Sequence, residues 1–151
     1  MTDTAMTIRP LTAADHAGWV PLWQDYLSFY HTALPAAVHA TTFARLTDPA
    51  RTDMAACVAL TGGQMVGLVH YLFHATTWSA QTVCYLQDLF TAPQARGQGV
   101  ARGLIAAVGL AARDAGASGV YWLTAEDNAT ARRVYDRLAT LTPFRVYEQN
   151  L

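Results

Sequence analysis

Arg96-Gly97-Gln98-Gly99-Val100-Ala101 is the stretch of this sequence whose residue types and spacing best suit chemistry. A run rich in β-branched and aromatic residues (82–92) precedes it. Residues 100–116 follow, with Val100, Leu104, Ile105, Val108 and Ala112 at helical spacing. The turn therefore joins a strand to a helix. The first N–H groups of such a helix have no partner within it. No Ser, Thr, Asp or Asn stands close enough to cap them. The positive end of the helix dipole points to the same place. Gly97 and Gly99 let another molecule approach the backbone, and Arg96 adds a guanidinium suited to phosphate oxygens. The combination describes a pyrophosphate site. Two familiar phosphate loops do not fit. The nucleotide-hydrolase loop needs a Lys, and this sequence has none. The dinucleotide fingerprint needs a small residue where Arg102 stands.

A second set lies about thirty residues on. Asn128, Ala131 and Tyr135 fall at i, i+3 and i+7 of a helical stretch and share one face. A tyrosine hydroxyl placed beside a leaving group serves as a general acid. Further groups able to move a proton are Asp88, His70, His74, Tyr85 and Glu148. Asp88 alternates away from the residue before it on a regular strand, so its face depends on whether a bulge intervenes. His70 and His74 share a strand face, but no third ligand accompanies them, so no metal is expected.

These residues need a scaffold. Met6–Arg9 opens as a strand. Trp19, Leu22, Trp23, Tyr26, Leu27 and Tyr30 then recur at helical spacing, with Pro21 in a first turn or kink. A second helix is expected from Pro35 to Leu46. Residues 54–61 and 64–76 form two strands about a Gly62-Gly63 turn, followed by the 82–92 strand. Residues 118–126 are apolar nearly throughout and predict a buried central strand. A helix capped by Asp127 or Asn128 and a last strand, 142–149, complete the chain. Antiparallel strands followed by a β-α-β crossover imply a mixed sheet with helices on both faces.

The composition agrees with one domain over 1–151. Hydrophobic residues make up 52% of 151 and charged residues 14%, which excludes a disordered chain. A formal net charge of −1 offers no attraction to nucleic acid or an anionic membrane. No apolar run is long enough to span a bilayer, and the first residues lack the pattern of a signal peptide. Cys57 and Cys84 lie in apolar runs and read as reduced core thiols. The expected location is cytoplasmic.

Arg96-Gly97-Gln98-Gly99-Val100-Ala101 matches the [QR]-x-x-G-x-[GA] signature of the GNAT superfamily of N-acetyltransferases. The chain resembles that superfamily most strongly from Val83 to Tyr147. Residues 85–90 (YLQDLF), 121–124 (YWLT) and 128–135 are similar to its polyamine- and histone-acetylating branch. The resemblance implies an α/β (α+β) fold with a mixed, mostly antiparallel sheet of six to seven strands. It implies acetyl-coenzyme A as co-substrate, no metal, and direct acetyl transfer to a primary amine: a small amine, a polyamine, an amino acid or a peptide lysine. By the same resemblance Tyr135 is the general acid, and Leu89, Phe90 and Thr91 offer backbone groups to the pantetheine arm. Arg96 to Ala101 hold the pyrophosphate, and Asn128 braces the arm or the site. The acceptor side would draw on Tyr26, Tyr30, Tyr85 and Gln87, and pairing into a homodimer is common in that branch. The branch places a basic Glu where this chain has Gln87, so Asp88 becomes the catalytic candidate on that strand. Gln87 also favours a second reading, an acyl-coenzyme A-binding regulatory module with impaired catalysis; Tyr135 opposes it.

Overall fold

The computed structural model describes residues 5–151. Five strands form one sheet: β1 (Met6–Pro10), β2 (Met54–Thr61), β3 (Gln64–His74), β4 (Val83–Thr91) and β5 (Val120–Tyr121). They lie in the order β1-β2-β3-β4-β5. All neighbouring pairs are antiparallel except β4 with β5, which are parallel. Four helices accompany them: α1 (His16–Phe29), α2 (Ala36–Thr47), α3 (Val100–Asp114) and α4 (Ala129–Leu138).

Helices cover both faces of the sheet. On one face Trp19, Leu22, Trp23 and Leu27 of α1 and Phe43 and Leu46 of α2 pack on Ala56, Val58, Leu68 and Phe90. On the other, Val100, Leu104, Val108 and Ala112 of α3 pack on Cys57, Val69, Cys84 and Leu86. Their spacing of four keeps one stripe of α3 against the sheet. β3 is buried without a break from Val66 to Tyr71, as a central strand covered on both faces must be. Pro21 lies inside α1, on an exposed position of the helix.

Two expected strands differ in the structure. The buried central strand at 118–126 pairs only through Val120 and Tyr121, and Leu123 beyond them is 54% exposed. Residues 142–149 form no strand at all; Phe144 is 82% and Tyr147 97% exposed. The sheet among the described residues therefore has five strands and not six or seven. The reason is partnership. A strand persists only where its N–H and C=O groups meet a neighbouring backbone, and β4 leaves β5 after Tyr85–Tyr121. Apolar composition alone cannot supply that neighbour.

Cys57 and Cys84 are free and buried. Burial pushes the Cys84 thiol up to about 11 and raises that of Cys57 as well. Only thiolate attacks a disulfide reagent. At pH 8 an aromatic disulfide reagent should therefore label neither cysteine in the folded chain, and both after unfolding in guanidinium. Fast labelling of the native chain would contradict this burial.

Candidate active site

The Gly-rich turn follows β4 after one 3-10 turn, Pro93–Ala95. Gly97 has φ 75° and Gly99 φ 81°, both in the left-handed region where a side chain is strained. Gly99 is the N-cap of α3 and no side chain caps the helix. The first helical bond of this turn runs from the Gly103 N–H to the Gly99 carbonyl at 2.9 Å. The amides of Val100, Ala101 and Arg102 are left pointing out of the helix end. A Cβ built on Gly97 or Gly99 would find nothing within 4 Å, so the space over the turn is open. Arg96 stands beside it. Its Nε donates to the Thr91 carbonyl at 3.3 Å, and its guanidinium carbon lies 5.9 Å from the centre of the Phe90 ring. Gln98 donates to the Gln94 carbonyl at 3.2 Å and braces the turn.

β4 and β5 open away from each other just in front of this turn. Their pairing stops at Tyr85–Tyr121, so the β5-facing backbone of Leu89, Phe90 and Thr91 has no strand beside it. The side chains of these residues are otherwise engaged: Leu89 packs toward α3, and Phe90 is buried toward α1.

Asp88 lies on the α1 side of the sheet, and a β-bulge puts it there. His70 pairs with Asp88 while the next residue, Tyr71, pairs with Leu86, so Gln87 is the extra residue. The bulge reverses the alternation: Cys84 and Leu86 pack toward α3, whereas Asp88 faces α1. Gln87 itself is exposed. Asp88 accepts a hydrogen bond from the Tyr26 hydroxyl at 2.8 Å on Oδ1 and pairs with His70 Nδ1 at 2.9 Å on Oδ2. Burial, then the negative charge of Asp88, raises the pKa of Tyr26, so its hydroxyl remains a donor.

Tyrosines surround this carboxylate. Tyr30 meets Tyr26 edge-on at 5.1 Å, and Tyr85 stacks on Tyr121 at 4.9 Å. Burial and the charge of Asp88 raise the hydroxyls of Tyr30 and Tyr85. Tyr135 on α4 meets Trp122 edge-on at 5.5 Å. Its hydroxyl is raised by burial first and by Tyr30 second, which places Tyr30 within electrostatic reach of both Tyr135 and Asp88. The Asn128 side chain caps α4, accepting from the Ala131 N–H at 3.3 Å. Of the other proton-moving candidates, His74 bonds the Tyr121 hydroxyl at 2.9 Å, and Glu148 lies in the exposed C-terminal segment. Trp78 stands in solvent at 94% exposure.

The model of the acetyltransferase (GNAT) family matches residues 19–139. A D-amino-acid N-acetyltransferase of Saccharomyces cerevisiae is 34% identical over 151 residues, covering 99% of this chain and 94% of that protein.

The chain belongs to the GNAT family.

It is an N-acetyltransferase of that family. Solved structures agree on the fold. A ribosomal-protein-alanine N-acetyltransferase of Brucella melitensis superposes with a TM-score of 0.81 at 18% identity, over 97% of this chain and all (100%) of that one. An aminoglycoside N-acetyltransferase in complex with coenzyme A superposes with a TM-score of 0.84 at 20% identity, over 97% of this chain and 95% of that one.

The GNAT chain holds one polar group whose role the residue pattern alone conceals. His70 reads from sequence as a proton-moving candidate or as a surface or hydrogen-bonded histidine; it is 3% exposed and bonded on both ring nitrogens. Its partners are 51 and 18 residues away in the chain. The strand alternation of His70 with the apolar Leu68 was the only local signal of its inward direction.

Proposed function

We propose that this chain moves an acetyl group from acetyl-coenzyme A directly to the primary amine of a small acceptor. The uncapped N-terminus of α3 behind Gly97 and Gly99 carries this reading. Its orphan amides, the open space above them and the guanidinium of Arg96 suit a pyrophosphate in charge, shape and donor direction. The free backbone edge of Leu89 to Thr91 suits the pantetheine arm, lying against it as an added strand would. Acetyl-coenzyme A supplies an activated thioester, and the chain's own residues do the rest.

An alkyl ammonium must lose a proton before it attacks. Asp88 is the carboxylate available for it, held by the Tyr26 hydroxyl and within electrostatic reach of Tyr30 and Tyr85. Aromatic faces and one carboxylate suit a single cationic amine. A backbone N–H at the end of β4 steadies the carbonyl oxygen as charge develops there. Tyr135, with its proton held by burial, gives it to the departing sulfur. Both cysteines are buried in the core, which favours direct transfer over a covalent enzyme intermediate.

The acceptor class is a small amine or an amino acid. The D-amino-acid N-acetyltransferase relative supports this choice. We place the enzyme in the cytoplasm, where its two free thiols stay reduced. We also propose a homodimer, because Leu141, Phe144, Val146 and Tyr147 are all exposed apolar side chains of one short segment.

The test measures coenzyme A thiol release from acetyl-coenzyme A with a panel of D- and L-amino acids, monoamines and polyamines. Release should be fastest with a monoamine or an amino acid. Tight coenzyme A binding with no release across the panel would overturn the enzyme reading in favour of a regulatory module.

A further inference from the structure

His70 is the buried polar side chain of the described core, and its two hydrogen bonds fix where its proton sits. Nε2 lies 3.0 Å from Trp19 Nε1, and Nδ1 lies 2.9 Å from Asp88 Oδ2. An indole N–H only donates. Nε2 of His70 must therefore be bare and accept, and the ring proton must lie on Nδ1. From there it donates to Asp88. A proton on Nε2 would set N–H against N–H inside a pocket where Trp19 is 0% exposed.

Among the described residues the ring has no third hydrogen-bond partner. α1 contributes Trp19, Trp23 and Tyr26 around the ring. On the sheet, Asp88 faces it from β4 and the apolar Ala56 stands opposite on β2. Phe43 of α2 closes the far side of Trp19. Beyond these, Tyr30 reaches Asp88 electrostatically and His16 lies beyond Trp19, 6.5 Å between ring centres. Trp19 and Tyr26 are seven residues apart, two turns on one face of α1. One helix face thus grips Asp88 twice, through Tyr26 directly and through Trp19 by way of His70.

We propose that Trp19 and His70 are positioning residues for the catalytic carboxylate: Trp19 locks His70 as its Nδ1–H tautomer, and His70 then holds Asp88 toward the acceptor amine. His70 is not itself the base, because its bare nitrogen is spent on Trp19. The bulge at Gln87 presents Asp88, and the pair keeps its second oxygen fixed while lone pairs remain for the amine. This rests on Asp88 being the proton acceptor of the reaction.

Two measurements test it. In the wild-type chain, nitrogen-15 spectra of the imidazole at pH 7.5 should show His70 protonated on Nδ1 and bare on Nε2. The opposite tautomer would overturn the proposal without any variant. In Trp19→Phe the ring remains but the N–H is gone, so Nε2 is free to take a proton. Its kcat/KM profile should gain an acid limb that wild type lacks, falling about tenfold for each pH unit on its acid side. The double variant Trp19→Phe/His70→Gln should lose that limb again. A uniform loss of rate with an unchanged profile would mean that the indole only fills space, and would refute the proposal. A wild-type limb abolished by His70→Gln would make His70 the base and refute it too. Asp88→Asn separates the two claims. If it keeps wild-type kcat/KM, Asp88 is not the proton acceptor, whatever the tautomer of His70.

Discussion

Tyr135→Phe should lower kcat by about 100- to 1,000-fold and leave KM for acetyl-coenzyme A within about threefold, which is the range of general acid catalysis. The substitution keeps the ring and its edge-on contact with Trp122 at 5.5 Å. It removes only the hydroxyl. Burial raises the pKa of that hydroxyl, so wild type carries its proton at neutral pH and loses it only above the ordinary tyrosine range. The group is thus loaded when a thiolate must leave. Its contribution falls mainly in the transition state, where sulfur gains charge; kcat should therefore change and affinity should not. A loss of 100- to 1,000-fold corresponds to about 2.7–4 kcal/mol of barrier. Steady-state thiol release against acetyl-coenzyme A concentration checks it. Equal losses in kcat and affinity would show that the hydroxyl merely helps to hold the co-substrate.

Gly67→Val should cost about 1–3 kcal/mol of stability and raise KM for acetyl-coenzyme A more than it lowers kcat. Valine is the better strand former, so propensity alone would predict the reverse. Packing decides. A Cβ at position 67 would lie 2.6 Å from Val100 Cγ1, 3.1 Å from Leu104 Cδ1 and 3.3 Å from the Phe90 carbonyl. Val100 is the first residue of α3, immediately behind the Gly-rich turn. Bare backbone on β3 therefore sets how deeply the helix start is seated, and any side chain lifts the first amides of α3, which we propose hold the pyrophosphate. In a chain of this size each kcal/mol lowers Tm by about 2–4 °C. Urea unfolding and KM on the same preparation check both effects. A variant as stable as wild type, with unchanged KM, would show that α3 is seated by other contacts.

The turn at 96–101 and the helix after it could be read from residue order. Their causes lie within a few positions: absent caps, glycines in the left-handed region, and an apolar residue every fourth place from Val100 to Ala112. The first four strands follow alternation and turn chemistry in the same way. The cap of α4 was equally local, since Asn128 needs only Ala131. Residues 118–126 and 142–149 were misjudged because their apolar pattern speaks of burial, whereas a strand also needs a neighbour to pair with. The direction of Asp88 was open for a related reason. One bulge between two strands turns it from the α3 side to the α1 side, and a bulge is a property of register.

The order of residues in this chain therefore determined the family, the glycine turn ahead of α3 and the tyrosine on the last helix, because backbone geometry and periodicity act over short distances. The tertiary structure decided which way Asp88 faces, that Gln87 is a bulge in the open, and that Trp19 and His70 lie behind the carboxylate. Those facts depend on hydrogen bonds between residues far apart in the chain, 51 positions from Trp19 to His70 and 62 from Tyr26 to Asp88. Such partners meet only when helix and sheet have closed on a common core.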